Sequence, residues 1–341
     1  MLFNQALENL IRRQDLTPTQ MQHLMRTLMR GEATSAQIAA FLVALRMKGE
    51  SVSEITAAAQ VMRELVTPVE IADKQHLVDI VGTGGDGANL FNVSTASSFV
   101  VAAAGGRVAK HGNRSASSSS GSADLIEAAG IRLDLNPEQV KACIEQIGVG
   151  FMFAPQHHTA MKHVIGPRKE MGVRTLFNVL GPLTNPAQAP HMLLGVYSQS
   201  LVSPLAQVLH GLGAKHVLVV CSDEGLDELS IAGSTRVAEL KHGHIEEYSI
   251  TPEALGLSRH PLDSLKVANA QQSLQKVVAA LQGTETAASE MLALNAGAAL
   301  YAADIADTLA AGVHMAQDAI ASGMAYQKMQ ELASFTEACQ A

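Results

Sequence analysis

The sequence predicts an α/β protein in which a small N-terminal helical domain, residues 1–70, precedes a larger α/β domain, residues 75–341, with a mainly parallel central sheet. Two observations carry this. Three helix-start signals recur at short intervals within the first 67 residues, and from about residue 75 apolar strand-like runs alternate with helical ones.

Thr17-Pro18-Thr19-Gln20 supplies an N-cap, a proline at the first helical position and a Gln at the capping-box position. Thr34-Ser35-Ala36-Gln37 and Ser51-Val52-Ser53-Glu54 repeat the pattern. Each opens a helix. Met21, Leu24, Met25 and Leu28, then Ile38, Phe41, Leu42 and Leu45, fall at helical spacing, and Gly31 and Gly49 supply stops. These stripes pack on one another or on a second copy of the bundle, so a homodimer through the helical domain is expected.

Beyond the bundle, strand-like runs fall at Leu77–Val81, Phe99–Ala104, Val108–Ala109, Met192–Tyr197 and Val217–Cys221. Strands alternating with helices imply parallel pairing, and ligands of such sheets collect at the strand C-termini.

Composition narrows the function. The chain has 341 residues, 47% of them hydrophobic and 16% charged, enough to bury a large core. A net charge of −8 without Lys/Arg runs argues against nucleic acid and anionic membranes as partners. No run of about 18 apolar residues appears, and the N-terminus lacks a signal-peptide layout, so a cytoplasmic location is expected. Cys143, Cys221 and Cys339 are odd in number and far apart, which points to reduced thiols.

Two polar stretches carry the chemistry. GTGGDG, Gly82 to Gly87, leaves the strand ending at Val81 and lets the backbone approach an anion closely. On its own the motif also fits an ordinary glycine turn. NVST follows, and Asn92, Ser94 and Thr95 stand at the start of a helix beginning near Thr95, where they either cap it or leave its N–H groups for phosphate. In KHGNRSASSSSGSAD, Lys110, His111, Asn113 and Arg114 form one loop ahead of a serine run, a combination suited to pyrophosphate.

SDEGLDELS places Asp223, Glu224, Asp227 and Glu228 just after the strand ending at Cys221. Carboxylates repel phosphate, so at the same sheet edge they make sense as ligands of bridging Mg²⁺; in isolation they also read as a solvated turn. Adjacent His157 and His158 point in different directions, and no metal is assigned there. Arg168 suits a carboxylate or the surface.

Together these segments resemble the anthranilate phosphoribosyltransferases. The resemblance rests on GTGGDG at Gly82, NVST at Asn92, KHGNRSASS at Lys110, RKEMGVRTLFNVLGPLTNP from Arg168 to Pro186 and GLDE from Gly225 to Glu228, and it spans essentially the whole chain. It implies a nucleoside phosphorylase/phosphoribosyltransferase-like fold, with residues 168–187 packing on the helical domain. It implies transfer of phosphoribose from 5-phosphoribosyl 1-pyrophosphate to the amino group of anthranilate, with Mg²⁺, in tryptophan biosynthesis.

By matching positions, the resemblance assigns the phosphoribosyl pyrophosphate to Gly82, Gly85, Asp86, Asn92, Val93, Ser94, Thr95, Lys110, His111, Gly112, Asn113, Arg114, Ser115, Ala116, Ser117, Ser118 and Ser122. It assigns anthranilate to Gly82, Asn113 and Arg168, with His111, Pro155 and His158 along its path, and Mg²⁺ to Ser94, Asp227 and Glu228. Lys110, Arg168 and Asn113 are the catalytic candidates; no general base stands out. Many family members carry Thr where this chain has Leu90, which removes a hydroxyl from that position.

Two rival classes stay open to the sequence. A pyrimidine nucleoside phosphorylase-like enzyme would use inorganic phosphate and leave the GLDE carboxylates without evident use. A non-enzymatic, nucleic-acid-binding relative of the same fold would need a basic face, which the charge balance opposes.

Overall fold

The computed structural model describes residues 3–115 and 119–339. Four helices come first: α1 (Phe3–Ile11), α2 (Pro18–Met29), α3 (Ser35–Lys48) and α4 (Val52–Leu65). All three expected capping boxes are formed, as at α2, where the Gln20 N–H donates to Thr17 Oγ1 (3.3 Å) and the Thr17 N–H to Gln20 Oε1 (2.9 Å). Gly49 closes α3 at φ 89°, where a side chain would be strained. No such box precedes α1, so the sequence signal missed it; Ala6 and Leu10 bury it against the bundle.

The second part is a seven-stranded sheet: β1 (Leu77–Gly82), β2 (Arg107–Gly112), β3 (Val149–Phe153), β4 (His191–Gly195), β5 (His216–Ser222), β6 (Thr235–Lys241) and β7 (His244–Ile250). The order is β3-β2-β1-β4-β5-β6-β7, parallel as far as β5 and antiparallel for β6 and β7. The chain runs outward from β1 through β2 to β3, then returns to lay β4 on the other side. The topological switch point therefore lies between β1 and β4, whose register pairs Gly82 with Gly195.

Among the described residues eleven further α-helices follow: α5 (Val93–Ala103), α6 (Ser122–Ala128), α7 (Pro137–Ala142), α8 (Ala154–His157), α9 (Lys162–Met171), α10 (Leu176–Leu180), α11 (Val202–Gly211), α12 (Ala270–Leu281), α13 (Thr286–Ala302), α14 (Leu309–Ala321) and α15 (Met324–Ala338). Residues Phe99–Ala104, expected as a strand, belong to α5 except for Ala104, its C-cap. This helix is buried nearly all round, and a fully buried helix shows the same unbroken apolar run as a buried strand. Strand β2 reaches Gly112, so Lys110 and His111 sit within the sheet instead of in a loop. The β6–β7 hairpin turns through His242 and Gly243 at φ 51° and 78°, a left-handed two-residue turn.

Two cores flank the sheet. Val217, Val219 and Cys221 of β5 face one that includes α11 and the N-terminal bundle, while Leu218 and Val220 face α5, α13 and α14. After β3 the chain returns to the bundle: Val164 of α9 and Leu176, Phe177 and Leu180 of α10 join the cluster containing Phe41 and Leu45, and Arg63 of α4 donates to the Leu183 carbonyl (2.7 Å).

At the N-terminal edge of the sheet, His216 is gripped from both sides. Nδ1 meets Asp304 at 2.7 Å and Nε2 meets Glu239 at 3.0 Å, while the hydroxyls of Tyr248 and Tyr301 donate to the Glu239 carboxylate (2.6 and 2.7 Å). This ties the antiparallel strands to the end of α13.

Candidate active site

The C-terminal ends of β1, β2, β4 and β5 converge on one crevice. The loop leaving β1 turns through Gly84 and Gly85 at φ 69° and 81°, conformations that favour glycine. After β5 the chain folds back: the Leu226 N–H donates to Ser222 Oγ (3.0 Å) and the Ser222 N–H to the Leu226 carbonyl (3.2 Å). This turn sorts the four acidic residues. Asp223 and Glu224 face solvent, Asp223 accepting a hydrogen bond from Gln199 (3.0 Å), whereas Asp227 is buried and Glu228 half-buried.

Asp227 Oδ2 accepts the Gly84 N–H at 2.6 Å, locking the acidic turn to the glycine loop. Both strands flanking the switch point end in glycine for a steric reason. A Cβ on Gly82 would lie 2.2 Å from Asp227 Oδ2, and one on Gly195 would lie 1.5 Å from the Asp227 carbonyl oxygen.

Asp86 joins them: ligand oxygens of Asp86, Asp227 and Glu228 all lie within 4.8 Å of one another. Burial, with the Asp86 charge adding to it, pushes Asp227 up to about 6. Burial and then the charges of Asp227 and Asp86 push Glu228 well above the usual carboxylate range. Three crowded carboxylates held in low dielectric call for a multivalent cation, and an all-oxygen donor set suits Mg²⁺. The residues fit the ion. Asp86, read from the sequence as a donor-substrate contact, thus stands as a third member of the acidic trio; its adjacency to Asp227 came from folding that the sequence did not reveal.

Lys110 lies 2% exposed in β2. Burial lowers its pKa, while Asp79, Glu228 and Asp227 act in the opposite direction and favour the ammonium. Next to it, the His111 and His158 rings stand 5.1 Å apart. Burial, then His157, holds His158 down to about 4, and burial, then His158, lowers His111, so both rings are neutral at pH 7. Nε2 of each is buried with no hydrogen-bond partner among the described residues. Such orphans mark a place where a polar ligand fits. Pro155, in α8, is exposed on the same connection; His157 points away and meets the Thr67 carbonyl at 2.9 Å.

Helix α5 aims its N-terminus at the crevice, and Asn92 does not cap it. Its amide instead links Ser120 and Ser273: Oδ1 accepts from both hydroxyls (2.8 and 2.7 Å) and Nδ2 donates to the Ser120 carbonyl (3.1 Å). Ser94 is half-buried in the first turn. Thr95 is 1% exposed, and its hydroxyl has no partner among the described residues, while the Val93 side chain belongs to the core.

Beyond β2, Gly112 is crowded by Phe151 and Ser122, either of which a Cβ would meet within 2.9 Å. Asn113 is exposed, and its carbonyl accepts the Ala123 N–H (3.1 Å). Arg114 points to α6 and pairs with Asp124 (3.0 Å) and Glu127 (2.9 Å). The Ser115 N–H donates to Asp124 (3.2 Å). Ala116, Ser117 and Ser118 lie outside the described residues. Leu90 is packed at the core margin and bridges to Lys266.

Arg168 approaches from α9. Its guanidinium lies 5.0 Å from the Phe177 ring centroid, half-buried, with no carboxylate paired to it among the described residues. Sequence reasoning passed over Arg174, which stacks on Tyr197 at 4.1 Å and donates to the Gly85 carbonyl. Its place in the RKEMGVRT stretch was the available signal.

Comparison with known proteins supplies the context. The helical bundle domain of a glycosyl transferase family matches residues 4–66, and the a/b domain of such a family matches residues 74–326. The anthranilate phosphoribosyltransferase of Chromohalobacter salexigens is 62% identical over 98% of this chain and 97% of its own length. That of Hahella chejuensis is 60% identical over 97% and 96%. The crystal structure of the Thermus thermophilus enzyme superposes with a TM-score of 0.92 at 44% identity, covering 98% of this chain and 99% of that one. The Saccharomyces cerevisiae enzyme in complex with PRPP and Mg gives a TM-score of 0.89 at 26% identity, covering 99% and 98%.

Proposed function

The chain belongs to the anthranilate phosphoribosyltransferase family, and from that premise we infer that it transfers the phosphoribosyl group of 5-phosphoribosyl 1-pyrophosphate to the amino group of anthranilate. The products are N-(5-phosphoribosyl)anthranilate and pyrophosphate, in tryptophan biosynthesis. The observation that carries this reading is the clustering of Asp227 and Glu228 with Asp86 of the glycine loop at the switch point of a parallel sheet.

Asp227 and Glu228, with Asp86 beside them and Ser94 assigned by family resemblance, would hold Mg²⁺, which would supply positive charge to offset the pyrophosphate. Gly82, Gly85, Asn92, Val93, Ser94, Thr95 and the 110–118 stretch with Ser122 hold the donor, largely through backbone N–H groups. Arg114 reaches it only by leaving Asp124 and Glu127.

The aromatic amine is a weak nucleophile, so the C1–oxygen bond loosens ahead of attack and negative charge grows on the leaving group. Lys110, buried in β2 beside Asp79, Asp227 and Glu228, whose charges favour its ammonium form, stabilises that charge. Arg168 forks onto the anthranilate carboxylate, and Asn113, His111, His158, Pro155 and Gly82 line the acceptor's approach on the opposite face, so C1 inverts. The neutral imidazoles of His111 and His158 suit an aromatic acid, since they add no competing charge. The amine's proton becomes acidic only after the C–N bond forms, and a water or a departing phosphate oxygen takes it.

Residues 1–70 with the returning 168–187 segment form the helical domain, and 75–341 the α/β domain. The exposed apolar side chains Ile11, Val43, Met47, Ile165 and Val173 on and beside α1, α3 and α9 support homodimerisation through the helical domain. No helix among the described residues is long and apolar enough to cross a membrane, which supports a cytoplasmic reading.

The test follows anthranilate fluorescence after addition of phosphoribosyl pyrophosphate and Mg²⁺, with EDTA as control. Mg²⁺-dependent loss of emission is expected. Constant emission despite bound donor would remove the acceptor assignment.

A further inference from the structure

Strand β2 has two neighbours, and only one ladder is complete. Towards β3 the register runs unbroken from Val108↔Val149 to Gly112↔Phe153. Towards β1 it stops after Leu77↔Arg107 and Val78↔Val108, although β1 itself stays paired with β4 as far as Gly82. In a parallel ladder the backbone groups flanking one residue point to the same side. With Lys110 paired to β3, the Ala109 carbonyl and the His111 N–H therefore face β1 and have lost their ladder partners.

Two side chains replace those partners. The His111 N–H donates to Asp79 Oδ1 (3.2 Å), and Asn185 Nδ2 donates to the Ala109 carbonyl (2.8 Å). The same amide nitrogen donates to Asp79 Oδ2 (2.7 Å), and Asn185 Oδ1 accepts the Ala187 N–H (2.8 Å). Asp79 and Asn185 are 0% and 1% exposed. Every donor and acceptor of the pair that faces the gap is used, so the wedge has one arrangement.

We propose that Asp79 and Asn185 are positioning residues: together they hold β2 apart from β1 at the level of Lys110 and His111 and thereby set where Lys110 meets the leaving group. The proposal rests on the assignment of Lys110 above. Neither side chain needs to touch a substrate. Asp79 is also a counter-charge for the buried Lys110, and burial, opposed by Lys110 and by these hydrogen bonds, sets its carboxyl at about 6.

Asp79→Asn puts an amide NH₂ against the Asn185 NH₂, so the bond between the two residues is lost. The swap Asp79→Asn/Asn185→Asp restores it and keeps the acceptors for His111 and Ala187, although a carboxylate oxygen then faces the Ala109 carbonyl in place of the donor. Steady-state kinetics on Asp79→Asn, Asn185→Asp and the swap, and on Asn185→Ala, decide the matter. A misplaced Lys110 raises KM for phosphoribosyl pyrophosphate about tenfold and lowers kcat, while KM for anthranilate, held from α9, moves by less than about twofold. A smaller folded fraction lowers kcat alone. The swap is expected to recover most of the loss, a non-additivity that a double-mutant cycle reads directly.

Hydrogen–deuterium exchange over residues 107–112 is measured in parallel, with faster exchange at the His111 amide expected in the single variants and recovery in the swap. Unchanged KM for the donor in Asp79→Asn, or a swap no better than the product of its singles, would overturn the proposal. If the unmutated protein turns over no anthranilate, the functional reading has failed, and the exchange data alone then judge the wedge.

Discussion

Gly82 and Asp227 share one space: the Cα of the glycine stands where any side chain would strike the carboxylate, with Oδ2 only 2.2 Å from a Cβ built there. Gly82→Ala therefore moves Asp227 without altering its charge. Displaced metal ligands typically cost tenfold to a hundredfold in metal affinity, so half-maximal velocity is expected at about ten times the Mg²⁺ concentration or more. A Mg²⁺ titration of initial rates, with circular dichroism to verify the fold, tests this; an unshifted titration would show that the carboxylate can move freely.

Asp227→Asn separates function from stability. Turnover is expected to fall on the order of 10²-fold or more, while the metal-free protein gains about 1 kcal/mol at pH 7.5 because a buried charge has gone. The sign follows from linkage. Asp227 rises from 3.8 to about 6 on folding, so its contribution to stability is fully present below pH 3.8 and is lost as pH rises through about 6. Melting curves without metal between pH 4 and 8 should therefore decline towards neutrality less in the variant than in the parent.

Among the described residues no carboxylate pairs with the Arg168 guanidinium, which stacks on Phe177, and the proposed function assigns it the acceptor's carboxylate. Arg168→Ala should raise KM for anthranilate about tenfold or more and leave that for phosphoribosyl pyrophosphate within about twofold, and Arg168→Lys should recover only part of the loss. Equal effects on both substrates would reassign the residue to the donor side.

Glu239 makes a separate prediction about acid stability. Burial alone would raise its pKa, but hydrogen bonds from His216, Tyr248 and Tyr301 outweigh it and bring the group from 4.5 down to about 2. Its stabilising contribution is thus present above pH 4.5 and lost as pH falls towards 2. Glu239→Gln should lower the urea midpoint at pH 7 and show a smaller deficit at pH 3, with kinetics at neutral pH unchanged. An equal deficit at both pH values would mean that packing, and not charge, is what the residue supplies.

How much of this the sequence disclosed depends on how local each signal is. Thr17, Thr34 and Ser51 sit within three residues of their capping partners, and those helices were legible to the turn. The alternation of strand and helix was legible too, but Phe99–Ala104 was not, because a helix buried on every side has no polar face to give its period away. GTGGDG and GLDE marked the two halves of the acidic site. The match to GLDE already left Asp223 and Glu224 out, but that Asp86 belongs with Asp227 and Glu228 depends on a fold-back held by Ser222 and Leu226 and on a strand order that no local pattern encodes. Asp79 was invisible for the same reason: its partners lie 32 and 106 positions away.

The return of the chain to the N-terminal bundle, through α9 and α10, sets Arg168 on a different part of the molecule from the acidic trio. The trio and the glycine loop stand on the sheet, where a side chain at Gly195 would strike the Asp227 backbone and one at Gly82 the Asp227 carboxylate. Arg168 stands on a helix seated against α2 and α3, where side chains vary the surface without touching a strand. A redesign for a different aromatic amine therefore has most room on α9, and libraries restricted to residues 162–171, which leave Arg174 and its bond to the Gly85 carbonyl in place, should change acceptor choice while donor recognition is inherited intact.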